Sequence, residues 1–308
     1  MTSYILQRIL WTGPVLLAIA LITFVVMHQV PGGPWDSGKQ LSPVALANVN
    51  HEYGLDKPLW AQFGRYVGGL VRGDLGVSFQ NRNRPVADIL AGAIPVSATL
   101  GLLALVVSVS VGVGLGVIAA LHRNSAIDYA ATALATVSAS VPSFILGMLL
   151  LVFLTANLHW LPSGGWGTAK QAIMPVLALS ALPAAYIARV TRASMLDVLA
   201  QDFVRTARAK GLREQTVVLR HMLRNALIPV LTVTGPIAAA LVTGSFIVEQ
   251  LFAIPGIGRA FVTAISQRDY GVIMGTTLFY TTVVVVANLA VDVLYAVIDP
   301  RIRYQAHG

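Results

Sequence analysis

Residues 95–121 read PVSATLGLLALVVSVSVGVGLGVIAAL, from Pro95 to Leu121 without one charged side chain. At about 1.5 Å of rise per residue, a helix of this length crosses the roughly 30 Å hydrocarbon core of a bilayer. Apolar and polar residues do not alternate, as they would in the short strands of a membrane β-barrel. The stretch reads as a transmembrane helix, and five more stretches of the same kind lie around it. They are Ile9–Val30, Tyr129–Leu158, Ala172–Ala188, Leu227–Phe252 and Gly271–Val297. Six spans predict an all-α membrane protein. The first has too long an apolar region for a cleaved leader and ends in Met27-His28-Gln29-Val30 instead of a small-x-small site, so it reads as a retained anchor.

Composition agrees with this. Of 308 residues 56% are apolar and 11% charged, against about 25% charged in an ordinary soluble domain. The chain has no cysteine, which excludes a disulfide scaffold, a thiolate zinc site and a cysteine nucleophile. A net charge of +8 raises nucleic acid as a partner until the charges are placed. With the N-terminus inside, the inner segments carry twelve Lys and Arg: Arg8, Arg123, eight from Arg189 to Arg224, Arg301 and Arg303. The short outer loops carry three, Lys170, Arg259 and Arg268. Bases in the long first outer loop count little, because long loops translocate largely regardless of charge. Both termini are therefore expected in the cytoplasm. The basic excess belongs to topology and the lipid bilayer, not to nucleic acid.

The expected organisation is an N-terminus and first span over 1–30, an outer lid of short helices and loops over 31–94, and a five-helix core over 95–308. That core includes an inner loop, 190–225, the most charged part of the chain. Good helix formers run from Asp202 to Lys210, and Gly211 then sits where a left-handed residue ends a helix. A second basic helix, about Arg213–Arg224, leads to Pro229. Two short helices bent at a glycine would make a stiff protrusion able to receive a push from a partner. A basic loop held at lipid headgroups explains the composition equally well.

Chemistry of its own is hard to find. Gly33-Pro34-Trp35-Asp36-Ser37-Gly38-Lys39-Gln40 approaches a phosphate-binding loop, but Gln40 stands where Ser or Thr should ligate magnesium and no strand precedes it. His28, His51, His122, His159, His221 and His307 show no ligand spacing. No nucleophile elbow or intramembrane carboxylate pair appears, so the chain is not expected to be an enzyme. Among polar residues at membrane depth, Asn288 and Asp292 share a helical face, which suits either a proton or ion relay or a structural pairing of Asp292 with a basic residue near the inner end of a neighbouring span. Glu249, near the outer end of the fifth span, either lines an exit or anchors a turn. Ser140, Pro142 and Ser143 make a polar, kinked stretch of the kind a pathway-lining helix tolerates. Gly112, Gly114 and Gly116 suit close helix packing.

Longer motifs decide between the readings of the inner loop. Arg205-Thr206-Ala207-Arg208-Ala209-Lys210-Gly211-Leu212, followed by His221, Asn225 and Pro229 at four-residue steps, resembles the coupling loop of ABC importer permeases. The form is that of the dipeptide, oligopeptide and nickel branch. Arg205 replaces the Glu of the general pattern, and Arg224 stands in place of its early Pro. Tyr53-Gly54-Leu55-Asp56-Lys57-Pro58, Gly73-Asp74-Leu75-Gly76-x-Ser78, Pro142-Ser143-Phe144 and Leu161-Pro162-Ser163-Gly164-Gly165 are similar to the B-type subunit of that branch. So are Glu249-x-x-Phe252-x-x-Pro255-Gly256-x-Gly258, Asp269-Tyr270, and the run from Asn288 to Arg301.

The resemblance implies a type I importer fold in a bacterial cytoplasmic membrane. It implies a homologous C-type permease as partner, two ATPase subunits or one fused double ATPase, and an extracytoplasmic solute-binding protein. ATP and magnesium would sit in the ATPases, with no cofactor or metal on this chain. Ala207, Arg208, Ala209, Lys210 and Gly211 would form the ATPase contact. In it Ala207 would supply a small face for close approach, and Arg208 and Lys210 would pair with acidic groove residues. Peptides are the expected cargo, with nickel or glutathione as alternatives. A secondary transporter or channel is the competing class; it would show inverted repeats and broken or charged helices at the midplane, and no repeat is visible. A cysteine placed at Ser78 should report the outer side.

Overall fold

The computed structural model describes residues 2–35, 42–81 and 84–298, with side chains over 7–8 and 10–289 of those ranges. Lys39, Gln40, Arg82, Arg301, Arg303 and His307 lie outside the described residues, as does the Asp292 side chain. The described residues are helical almost throughout and pack as two units. One comprises residues 1–97 and 255–308, the other residues 98–254.

The first unit holds α1 (Thr2–Gln29), α2 (Pro43–Tyr53), α3 (Leu59–Val71), the start of α4 (Val86–Leu121), α12 (Ile257–Gln267) and α13 (Tyr270–Ile298). Its core gathers Ala20, Phe24 and Met27 of α1, Val86, Leu90 and Ala93 of α4, and Val272, Met274 and Leu278 of α13. The expected start of the second span at Pro95 is corrected here. The helix begins at Val86, because Val86, Leu90 and Ala93 bury themselves in this core, and Pro95 sits inside the helix. At 36 residues, α4 measures about 54 Å and outruns a membrane core.

The loop between α3 and α4 is tied down by one carboxylate. Asp269, 2% exposed, sits just before α13 and caps it by accepting from the Val272 N–H at 3.3 Å. The Ser78 hydroxyl donates to it, as do the backbone N–H groups of Phe79 (3.0 Å) and Gln80 (3.4 Å). Trp35, Tyr53, Phe79 and Tyr270 form an aromatic string beside it, with ring centroids 4.7–6.0 Å apart.

The second unit holds the rest of α4, then α5 (Ala126–Ser140), α6 (Ser143–Leu150) continued by a π-helical stretch Leu151–Asn157, α7 (Ala169–Leu199), α8 (Asp202–Ala209), α9 (Glu214–Thr216), a π-helical stretch Val217–Met222, α10 (Leu223–Val242) and α11 (Phe246–Leu251). α7 is its central helix and packs on α5, α6 and α10. A capping box, Thr168 with Gln171, starts α7 earlier than its apolar run suggests, and it passes through Pro175 and Pro183. Of the three glycines read as close packing, Gly112 and Gly116 meet α7 directly. A Cβ on Gly112 would strike Ile187 and the Ala184 carbonyl, and one on Gly116 would strike Thr191 and the Ala188 carbonyl. Gly114 faces open space.

Two further spans differ from expectation. Tyr129–Leu158 is not one kinked helix: α5 and α6 meet at Val141-Pro142 at 102°. A proline disfavours the helical region for the residue before it, and Val141 is extended at φ −95, ψ 120, so the helix stops and restarts. The helical stretch that carries the fifth span runs from Glu214 to Val242, so the span ends at Val242, not Phe252. Pro229 and Pro236 are accommodated inside it, whereas Gly244, at φ 92, turns the chain into the short α11.

Candidate functional site

The segment between α7 and α10 is built around one small apolar cluster. α8 buries a single face, Val204 and Ala207, three residues apart and so on the same side of a helix. They pack on Met195 of α7, on Val217, Val218 and Met222 of the π-helical stretch, and on Ala120 and Ala226. The rest of α8 is exposed, including Phe203, Arg205, Arg208 and Ala209. Lys210 and Gly211 follow it, also exposed.

Gly211 adopts the left-handed conformation that its position after a helix former run predicts, at φ +77. The turn is closed by the Lys210 N–H to the Thr206 carbonyl (3.1 Å) and the Gly211 N–H to the Arg208 carbonyl (2.9 Å). Across the bend, Arg208 grips Glu214 with two hydrogen bonds, Nε to Oε2 at 3.1 Å and an NH2 nitrogen to Oε1 at 2.6 Å. Those bonds to Glu214 push the Arg208 guanidinium further above its ordinary range, so it stays charged. Asn225 donates to the His221 carbonyl at 2.9 Å one turn back.

Two details of the expected contact change. Ala207 is 7% exposed and faces the chain's own core, so it offers no small face to a partner. Its role is to let α8 lie close to α7 and the π-helical stretch. Arg208 is paired by Glu214 within the loop, where an acid on a partner was expected. The residues exposed around the bend are Phe203, Arg205, Ala209, Lys210 and Leu212, among others.

A second buried arrangement was not foreseen. Asp128, in the first turn of α5 with a side chain 3% exposed, receives Arg192 of α7 through Nε and an NH2 nitrogen, both at 2.7 Å. The Asn124 N–H adds a third hydrogen bond at 3.0 Å, from a residue at φ +60. The two partners are 64 residues apart, and no local periodicity links them. The only sequence signal is Asp128 three residues after Ser125, an N-cap pattern whose hydroxyl accepts the Asp128 N–H at 3.4 Å.

The remaining candidates are placed as follows. Ser140 is exposed at the end of α5, and its hydroxyl donates to the Thr136 carbonyl at 2.8 Å. Pro142 is exposed in the break, and Ser143 is half-buried in the first turn of α6. Glu249 is fully buried, with Oε1 accepting the Ser245 N–H at 3.3 Å. It anchors the turn into α11, so the exit-lining alternative is corrected: its carboxylate is buried and accepts a backbone N–H instead of facing open space. The same corner is closed by the Gly165 N–H to the Phe252 carbonyl at 2.8 Å. Asn288 is exposed on α13. Among the described residues no group of three His, Asp or Glu side chains is placed to hold a metal ion.

The bent inner element and the helix scaffold around it can be set beside known proteins. Residues 112–304 match the family model described as "Binding-protein-dependent transport system inner membrane component", and residues 1–101 match its N-terminal companion. The chain belongs to this family of importer permeases. Over its whole length the permease is 42% identical to the "Dipeptide transport system permease protein DppB" of Bacillus subtilis, covering 100% of both chains. It is 42% identical over 306 residues to the "Oligopeptide transport system permease protein OppB" of Escherichia coli K12, covering 99% of this chain and 100% of that one. Among solved structures, the inward-facing MetNI methionine ABC transporter covers 68% of this permease and 96% of its own chain, with a TM-score of 0.56 at 19% identity. That likeness concerns the fold alone: an all-helical type I ABC importer permease.

Proposed function

We propose that the permease forms half of the translocation pathway of an ATP-driven peptide importer. The reading rests on one observation: full-length similarity, above 40% identity, to permeases named for dipeptide and oligopeptide transport. A homologous C-type permease completes the pathway, and an extracytoplasmic binding protein delivers the peptide. ATP and magnesium are held by two ATPase subunits or one fused double ATPase.

The bent element at Gly211 is the contact with the ATPase. Its small buried core and the Arg208–Glu214 grip make α8 stiff enough to transmit a push to α7 and α10, the spans on either side. Phe203 and Leu212 offer it apolar anchors, while Arg205 and Lys210 offer charge. Ser140, Pro142 and Ser143, at the broken α5–α6 pair, line the path, because a break in a membrane helix frees backbone polar groups that need polar company. Asn288 serves as a structural polar residue of α13. Both termini are cytoplasmic and residues 31–94 extracytoplasmic. Cysteine labelling tests that orientation, but at exposed Asn48 and not at Ser78, which is buried. The decisive experiment is isolation of the intact complex and mass spectrometry of the ligand its binding protein retains. Peptides are expected; nickel or glutathione would overturn the substrate assignment.

A further inference from the structure

α3, LWAQFGRYVGGLV from Leu59 to Val71, is a surface helix with almost nothing polar on it. Its inner side places Phe63, Tyr66 and Leu70 against the core of the first unit. On a helical projection at 100° per residue, a second side, about 110° round from the first, carries Trp60, Gly64, Val67, Gly68 and Val71, without a polar side chain. Trp60 is 77% exposed and Val71 84%, and nothing lies near the positions a Cβ would take on Gly64 or Gly68. The two polar residues, Gln62 and Arg65, lie on the remaining flank. Two of the three sides of the helix are thus apolar, and the one turned away from the core has no protein of this chain against Trp60 or Val71 to shield it from water.

Its height against α1 suggests what covers it. The Phe63 and Phe24 rings pack at 5.3 Å between centroids, and His28 Nε2 lies 3.3 Å from Gln62 Oε1. Phe24 stands five residues before Gln29, where the apolar span of α1 ends, which is about 7 Å along a helix. At that level α1 exposes Leu21, Ile22, Val25 and Val26, as a lipid-facing helix does. Helices lying in a bilayer interface sink their apolar face about 5–10 Å into the headgroup and acyl boundary, and Trp is enriched at that depth. The apolar side of α3 thus stands level with the end of the exposed apolar surface of α1.

We infer that α3 is an interfacial helix, with Trp60, Gly64, Val67, Gly68 and Val71 embedded in phospholipid at the membrane face where α1 ends. It anchors the 31–94 segment to the bilayer and holds the 72–81 loop at a set height above the membrane.

The chain has no native cysteine, so spin labels can be placed singly at Trp60→Cys, Gly64→Cys, Gly68→Cys and Val71→Cys. The labelled full-length chain is assembled with its transporter partners in vesicles of phosphatidylethanolamine and phosphatidylglycerol, with the parent complex as blank. Paramagnetic relaxation by oxygen, which concentrates in lipid, is compared with relaxation by a water-soluble nickel chelate. An oxygen-to-nickel ratio several-fold above that of a label at exposed Asn48 is expected at all four sites. Gly64 and Gly68 have room for a side chain, so they report even if Trp60 or Val71 variants disturb the helix. Strong nickel relaxation would mean the face is in water, and exclusion of both reagents would mean a protein partner covers it. Either result overturns the inference.

Discussion

Gly211 allows the sharpest test, because the structure isolates backbone strain from side-chain crowding. Its φ is +77, and no heavy atom lies within 4 Å of the place a Cβ would occupy. A substitution there meets no neighbour; it only pays the intrinsic cost of a left-handed residue. For most residues that cost is about 1–2 kcal/mol, with Asn more tolerant and β-branched residues worse. One to two kcal/mol changes an equilibrium by roughly 5–30-fold. The Arg208–Glu214 pair is exposed and opposes straightening by only about 0–1 kcal/mol. Gly211→Asn should therefore keep most coupling, Gly211→Ala should lose a substantial part, and Gly211→Val should lose nearly all. The core of Val204, Ala207 and Met222 is untouched, so all three variants should insert and accumulate normally. The assay is peptide taken up per ATP hydrolysed in reconstituted vesicles holding the complete transporter. Wild-type coupling in Gly211→Val would refute the bend as a mechanical element. Equal loss in the Asn and Val variants would show that side-chain bulk against a partner matters, and not backbone strain.

Other consequences follow from the second unit. Removing Arg192 leaves Asp128 buried without its counter-ion, which costs about 3–5 kcal/mol when both partners are buried. Arg192 is 31% exposed, so Arg192→Ala should cost about 2–3 kcal/mol as water recovers the remainder, seen as a lower unfolding midpoint in detergent. The double variant Asp128→Asn with Arg192→Gln should recover most of it, and an unchanged midpoint in the single variant would refute the pairing. Gly116→Ala should sharply reduce folded yield on size-exclusion chromatography, because its Cβ strikes the Ala188 carbonyl and Thr191. Gly114→Ala, facing open space, should be neutral or gain about 0.5–1 kcal/mol of helix stability; equal behaviour of the two would contradict the α4–α7 approach. Finally, the swap Arg208→Glu with Glu214→Arg should transport better than either single change. If the swap is no better, Arg208 acts outside the loop.

The spans and the bend at Gly211 were legible because each depends on local signals: apolar length for the spans, a helix-former run before glycine for the bend. Prolines were less readable. Pro95 sits within a helix, Pro142 breaks one, and Pro229 is absorbed, and what separates them is packing. Val86 and Leu90 are buried ahead of Pro95, whereas Val141 has gone extended ahead of Pro142. The inward face of Ala207 did have a signal. Val204 and Ala207 lie three apart in an otherwise exposed helix, and that spacing marks a buried stripe. For Asp128 the N-cap pattern with Ser125 marked a helix start but not its partner, since only the folded chain brings Arg192 to it.

The clasp at Asp269 also bears on how the chain is made. Ser78 must wait for a residue 191 positions later before its hydroxyl finds its acceptor. At a ribosomal rate of about 5–20 residues per second, that is a delay of roughly 10–40 s. Throughout it, the 76–81 loop is already synthesised while the carboxylate that organises its N–H groups has yet to emerge. A chain stopped before Asp269 therefore lacks the acceptor that holds the Ser78 hydroxyl and the Phe79 and Gln80 N–H groups. The order of that early loop is thus set by a residue made much later, at the threshold of α13.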